Sequence, residues 1–169
     1  IITIPNRVTS IGDYAFRDCS SLTSITIPES VTSIGSTAID GCSKLTSIDV
    51  DPANTTYSSE DGVLFNKDKT TLVAYPAGNT RTLYTVPDSI TSIGDHAFED
   101  CTNLTSVNFG DNSQLTTIGY CAFDGCSSLT SITIPSSVTS IGKYAFSDCS
   151  KLTTVNFENQ TGWFTTNSS

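Results

Sequence analysis

LTSITIPESVTSIGSTAIDGCSK, residues 22–44, returns almost unchanged as LTSITIPSSVTSIGKYAFSDCSK at 129–151, with partial copies beginning at Ile1, Leu45 and Leu104. Such internal repetition is the signature of a solenoid, in which each copy is one coil stacked on the next. The glycines Gly12, Gly35, Gly94, Gly119 and Gly142 mark the register at intervals of 23 to 25 residues, except that Gly35 and Gly94 lie 59 apart. That long interval holds one ordinary step and a second step enlarged by about 13 residues, as the same period requires.

Alternation assigns the faces. In Leu22-Thr-Ser-Ile25-Thr-Ile27 the apolar residues share one side of a strand and Ser24 and Thr26 the other. Two inward rows follow: Ile2, Ile25, Ile48, Val107, Ile132 and Val155, then Ile4, Ile27, Val50, Val86, Phe109, Ile134 and Phe157. A second inward group, Val8, Val31, Ile90, Leu115 and Val138 with Ile11, Ile34, Ile93, Ile118 and Ile141, belongs to the return path. The glycine after each of those isoleucines implies positive φ or close backbone approach. Phe16, Ile39, Phe98, Phe123 and Phe146 then form a buried spine, and Pro5, Pro28, Pro87 and Pro135 end the strands. The expected fold is a mainly β repeat solenoid, a right-handed leucine-rich-repeat coil of about seven parallel strands roughly 35 Å long, with short turns or 3-10 segments on the return side.

A net charge of −9 without a long acidic run disfavours nucleic acid and anionic lipid. No apolar stretch approaches the roughly 18 residues of a membrane helix, so no membrane insertion is expected. The first residues fall inside a repeat, which reads as a piece of a longer protein whose leader and anchor lie elsewhere.

Five of the six cysteines, Cys19, Cys42, Cys101, Cys126 and Cys149, occupy one repeat position and are expected as a ladder of free, inward thiols. Cys121 sits at a variable position and is expected to be partly exposed, with His96, the single histidine, one coil away. A lone Cys and His without an orienting group make no catalytic constellation, so no enzyme and no catalytic residue are expected. Finger-type spacing is absent, which argues against zinc. The stretch Asp49-Val-Asp51-Pro-Ala-Asn54, with Glu60-Asp61, gathers oxygen ligands that suit either calcium or a solvated turn. No cofactor is called. Asn-x-Ser/Thr triplets begin at Asn54, Asn103, Asn159 and Asn167.

The unit LTSITIPxSVTSIGxxAFxxCSx resembles the BspA-like, or Treponema pallidum-type, leucine-rich repeat family over nearly all of Ile1 to Glu158. Residues 57–76 look like that family's own inserted hairpin. The resemblance implies an extracellular, often cell-surface protein that adheres to host or bacterial partners, and it implies no particular ligand. The expected organisation is a solenoid over residues 1–158, with the hairpin at 57–76, and a cap or linker over 159–169.

The expected contact surface is the outward strand face, Ser24, Thr26, Ser47, Asp49, Ser106, Asn108, Ser131 and Thr133, joined by Tyr57, Lys67 and Lys69 of the hairpin. It is small, polar and poor in the aromatic and Arg anchors of strong interfaces, so it suits weak, repeated contact with protein or glycan partners. The alternative is that Val63, Phe65, Leu72, Val73 and Tyr75 merely pack the insertion, and that the chain is a passive structural spacer of a larger surface protein. The oligomeric state is not legible.

Overall fold

A computed structural model describes residues 2–158, and the expected cap or linker at 159–169 lies outside them. The structure is a β-solenoid of short, mostly parallel strands, without helix or 3-10 turns among the described residues. Each coil places its Leu-Thr-Ser-Ile strand beside that of the previous coil, in register: Ile2 with Ile25, Ile25 with Ile48, Val107 with Ile132, Ile132 with Val155. Strands Ile2–Thr3, Ser24–Ile27 and Ser47–Val50 form a three-stranded sheet, and Leu83–Thr85, Ser106–Asn108, Ser131–Ile134 and Thr154–Phe157 a four-stranded one, making the expected seven. Tyr84 pairs with Val107 and fills the inward row, a place the repeat alignment does not assign because the insertion precedes it.

The return side carries the expected short turns and, in addition, ladders of its own. Ser10–Ile11 pairs with Ser33–Ile34, while Thr71–Ala74, Ser92–Ile93, Thr117–Ile118 and Ser140–Ile141 form a second parallel run. Isoleucine and a β-branched or small neighbour suit a short pleated pair, and stacking coils in register satisfies their backbone groups.

Threonine abundance has a structural cause. The amide and hydroxyl of Thr46 both bond to the carbonyl of Thr23, one coil back, and Thr105, Thr130 and Thr153 repeat the pattern onto Thr82, Thr105 and Thr130. Thr32, Thr116 and Thr139 do the same on the return side, onto Thr9, Thr91 and Thr116. These hydroxyls are staples between coils.

The register glycines adopt ordinary φ, and close approach is what they need in every coil but that of Gly12, where an added Cβ would meet nothing within 4 Å. A Cβ on Gly142 would stand 2.5 Å from the Gly119 carbonyl carbon and the Tyr120 nitrogen, and one on Gly119 2.6 Å from the Asp95 nitrogen. Positive φ falls later in the turn, at Tyr14, His96, Cys121 and Tyr144, and again at Asp18, Gly41, Asp100, Gly125 and Asp148. The alternation of Asp and Gly before each ladder cysteine reflects that second position, since both residues tolerate the left-handed region.

The insertion is a three-stranded meander. Tyr57–Glu60 and Val63–Asn66 form an antiparallel hairpin, and Thr71–Ala74 pairs back onto Val63–Asn66 before joining the return-side ladder at Ser92 and Ile93. It interrupts the main sheet, because Gly62 rather than another coil accepts the amide of Ile48. The interior is accordingly divided. Leu64 belongs to a core with Ile4, Ile25, Val31 and Leu45, whereas Val63 and Phe65 belong to a larger one running from Leu72 to Cys149.

The spine runs Tyr75, Phe98, Phe123, Phe146, with parallel rings at centroid distances of 5.2, 4.8 and 5.4 Å. Tyr75 thus takes the spine position of the enlarged coil. Val155 is 37% exposed instead of buried, since its strand has a sheet neighbour on one side alone among the described residues.

Candidate functional site

The outward residues of the main strands stand in columns. Ser24 lies beside Ser47, Thr26 beside Asp49, Ser106 beside Ser131, and Thr133 beside Asn156. Thr26, Asp49, Asn108, Ser131 and Thr133 are exposed, and Ser24, Ser47 and Ser106 half-buried. The face is two panels, separated by the meander. One apolar side chain stands on it, Leu83, beside Ser106 in register and 54% exposed.

The hairpin residues are drawn into the fold. Tyr57 Oη accepts the Ile34 amide at 3.0 Å, Lys67 Nζ donates to the Asn54 carbonyl, and Lys69 Nζ meets the Glu60 carboxylate. Val63, Phe65, Leu72 and Tyr75 are buried and Val73 half-buried, packing the insertion on both cores.

Asn54 organises the turn before the hairpin. Its Nδ2 donates to the carbonyls of Pro28 and Val31 at 2.8 and 2.9 Å, and its Oδ1 accepts the amides of Thr56 and Tyr57, both at 2.8 Å. Fully engaged and 1% exposed, this side chain has no room for a glycan despite its triplet. Asn103 is exposed, and the triplets at Asn159 and Asn167 lie outside the described residues. The nearby acids are separately committed: Asp51 caps the Ala53 amide, Glu60 meets Lys69, and Asp61 stands 3.7 Å from Arg81.

The thiol ladder is present, as Cys42, Cys126 and Cys149 donate at 3.1 Å to the carbonyls of Phe16, Phe98 and Phe123 in the preceding coil. Cys101 reaches the Tyr75 carbonyl at 3.9 Å. All six cysteines are free. Contact with the neighbouring thiol, together with burial, pushes Cys126 and Cys149 far above the ordinary thiol range. Cys121, expected to be partly exposed, is buried at 6% exposure, while its neighbour Tyr120 stands at the surface. Burial raises its pKa as well.

Two arrangements at the corner between the ladders escape the linear reading. The first is a ridge of exposed tyrosines: Tyr120 and Tyr144 meet edge to face at 5.9 Å, His96 abuts Tyr120 at 5.4 Å, and Lys143 lies over the Tyr144 ring at 4.8 Å. At the other end of the corner Arg17 covers Tyr14 at 5.1 Å. Tyr14 and Tyr144 are 57% and 53% exposed, the kind of anchor that the strand face lacks. The available signal was a tyrosine one or two residues after a register glycine, Gly12-Asp-Tyr14, Gly119-Tyr120 and Gly142-Lys-Tyr144. The second is a cluster of Asp40, His96 and Glu99, with one ligand atom from each within 4.8 Å of the others. His96 Nδ1 contacts the Glu99 carboxylate. Burial, and then the charge of Glu99, raise the Asp40 carboxyl to about 6.

The pattern of the BspA type leucine rich repeat region matches residues 1–82 and 77–168, in six copies. A solved leucine-rich repeat protein from Eubacterium ventriosum is 37% identical over 93% of this chain, with a TM-score of 0.86. A leucine rich cell surface protein from Faecalibacterium prausnitzii is 27% identical over 94% of it, with a TM-score of 0.59. The pneumococcal vaccine antigen PcpA, 21% identical over 92% of the chain with a TM-score of 0.60, shares the fold. The chain spans 41%, 54% and 50% of the lengths of these three. No curated protein sequence matches it.

Proposed function

Because the chain belongs to the BspA-type leucine-rich repeat family, whose repeats serve as protein-interaction modules, we propose that it acts at the cell surface as an adhesion module. Its partners are proteins or glycans of host or bacterial cells. The observation that carries this reading is the in-register column of outward residues, Ser24 with Ser47 and Ser106 with Ser131, which repeats a small polar contact from coil to coil, interrupted by Leu83. Similarity to a leucine rich cell surface protein supports the location. Each contact is weak, and affinity comes from many coils or many copies engaged together.

The tyrosine ridge favours a second contact surface. Tyr14, Tyr120 and Tyr144 are large, exposed and held by neighbours, so little entropy is lost when a partner covers them. Binding of the chain, as monomer and as multivalent display, to matrix proteins, mucin glycans and whole cells tests both. Attachment by the multivalent form that Thr26→Glu, Ser131→Glu and Thr133→Glu abolish assigns the strand face. Loss with Tyr120→Ala and Tyr144→Ala assigns the ridge. Attachment in neither format makes the chain a spacer and overturns the proposal.

A further inference from the structure

The repeat rule would keep Asp40 and Glu99 apart. Both stand five residues after a register glycine, Gly35 and Gly94, but in coils separated by the enlarged one. Two strand spacings would set them about 10 Å apart. The intervening coil, however, turns its corner on the short run Tyr75-Pro76-Ala77-Gly78 and puts no acidic or bulky side chain between them. Asp40, His96 and Glu99 therefore face one another across a cavity of about 20 Å³ walled by Ala74, Tyr75 and Ala77.

We infer that Asp40, His96 and Glu99 form a binding site for a divalent transition-metal ion, with zinc preferred. Their ligand atoms lie within 4.8 Å of one another, so contraction by at most about 1.4 Å reaches the roughly 3.4 Å spacing of a tetrahedral zinc site. All three side chains are half-buried and short of full solvation, and the cavity holds about one water or one ion. Two carboxylates brought to a shared cavity repel each other, and a divalent cation removes that repulsion where a single imidazole does not. The imidazole nitrogen selects a zinc-like ion over magnesium and calcium, which favour all-oxygen sites. Three protein ligands leave the remaining coordination position to water or to a donor from outside. Nothing in the linear spacing announces such a site, since its ligands come from two coils and the gap from a third.

The test is titration of the chelator-stripped 169-residue chain with Zn2+, by calorimetry and by the imidazole NMR signals of His96, the single histidine. The expected result is one equivalent bound, a His96 signal that moves in step with occupancy, and at least tenfold weaker binding by His96→Gln and by Asp40→Asn. Ca2+ and Mg2+ at the same concentration leave the His96 signal in place. Absence of binding at millimolar zinc overturns the inference. So does equal binding by the folded His96→Gln chain, which would place the metal elsewhere. Circular dichroism of both variants separates loss of the site from loss of the fold.

Discussion

The ring of Phe98 lies parallel to that of Phe123, one coil away, with centroids 4.8 Å apart and planes 8° from coincidence. Both rings are fully buried, so each coil is keyed to the next through an aromatic contact as well as through backbone hydrogen bonds. Phe123→Ala is expected to cost about 3–5 kcal/mol, and Phe123→Leu roughly 1 kcal/mol. Urea denaturation followed by tyrosine fluorescence checks both. Equal loss in the two variants would show that ring stacking, not buried volume, sets the cost.

Two glycines in the same motif are expected to respond oppositely. Gly142→Ala forces a methyl group against the neighbouring backbone and should destabilise the chain by about 1–3 kcal/mol. Gly12 has nothing within 4 Å of an added Cβ, so Gly12→Ala should be neutral or stabilising by about 0.4–1 kcal/mol. Melting temperatures distinguish them, at roughly 2–4 °C per kcal/mol for a chain of this size.

The thiols should divide by burial. Cys19 is half-buried while the other five are buried. Alkylation with iodoacetamide under native conditions is expected to modify Cys19 first and to leave Cys126 and Cys149 untouched, because their raised pKa values leave almost no thiolate. Mass spectrometry of peptides reads the order, and six modifications should appear on denaturation.

Asp40 makes acidity stabilising. Its carboxyl titrates near pH 6 in the folded chain against 3.8 as an ordinary side chain. Between those values the folded state holds a proton that the unfolded state releases, so this contribution to stability falls as pH rises through the window. At pH 7, with metal chelated, Asp40→Asn should be more stable than the parent by on the order of 1 kcal/mol, a figure discounted for the solvent that still reaches the group. The gap should close by pH 4. A gap that persists at pH 4 would assign the gain to packing.

The period, the inward rows and the cysteine ladder were legible because each depends on spacing within one coil. Tyr75 and Tyr84 were not placed in their ladders, since the insertion removes the register marks on either side of them. The role of threonine was hidden for a related reason: a hydroxyl that bonds one coil back looks, in sequence, like any exposed hydroxyl. Asp40, His96 and Glu99 meet through the shortening of a corner that belongs to none of them, and such a meeting has no linear signature. The hairpin residues Tyr57, Lys67 and Lys69 read as individual and surface-facing, but their polar ends satisfy backbone and carboxylate groups that the insertion itself creates.

The strand Val63–Asn66 sends Leu64 into one core and Val63 and Phe65 into the other. It is thus a fixed datum from which coils can be counted in both directions. A gene that gains or loses a whole repeat on one side changes interfaces on that side alone, and leaves the packing across the strand as it was. Duplication and deletion can therefore lengthen or shorten the rod while the hairpin and the cleft at Asp40 beside it keep their places relative to this boundary.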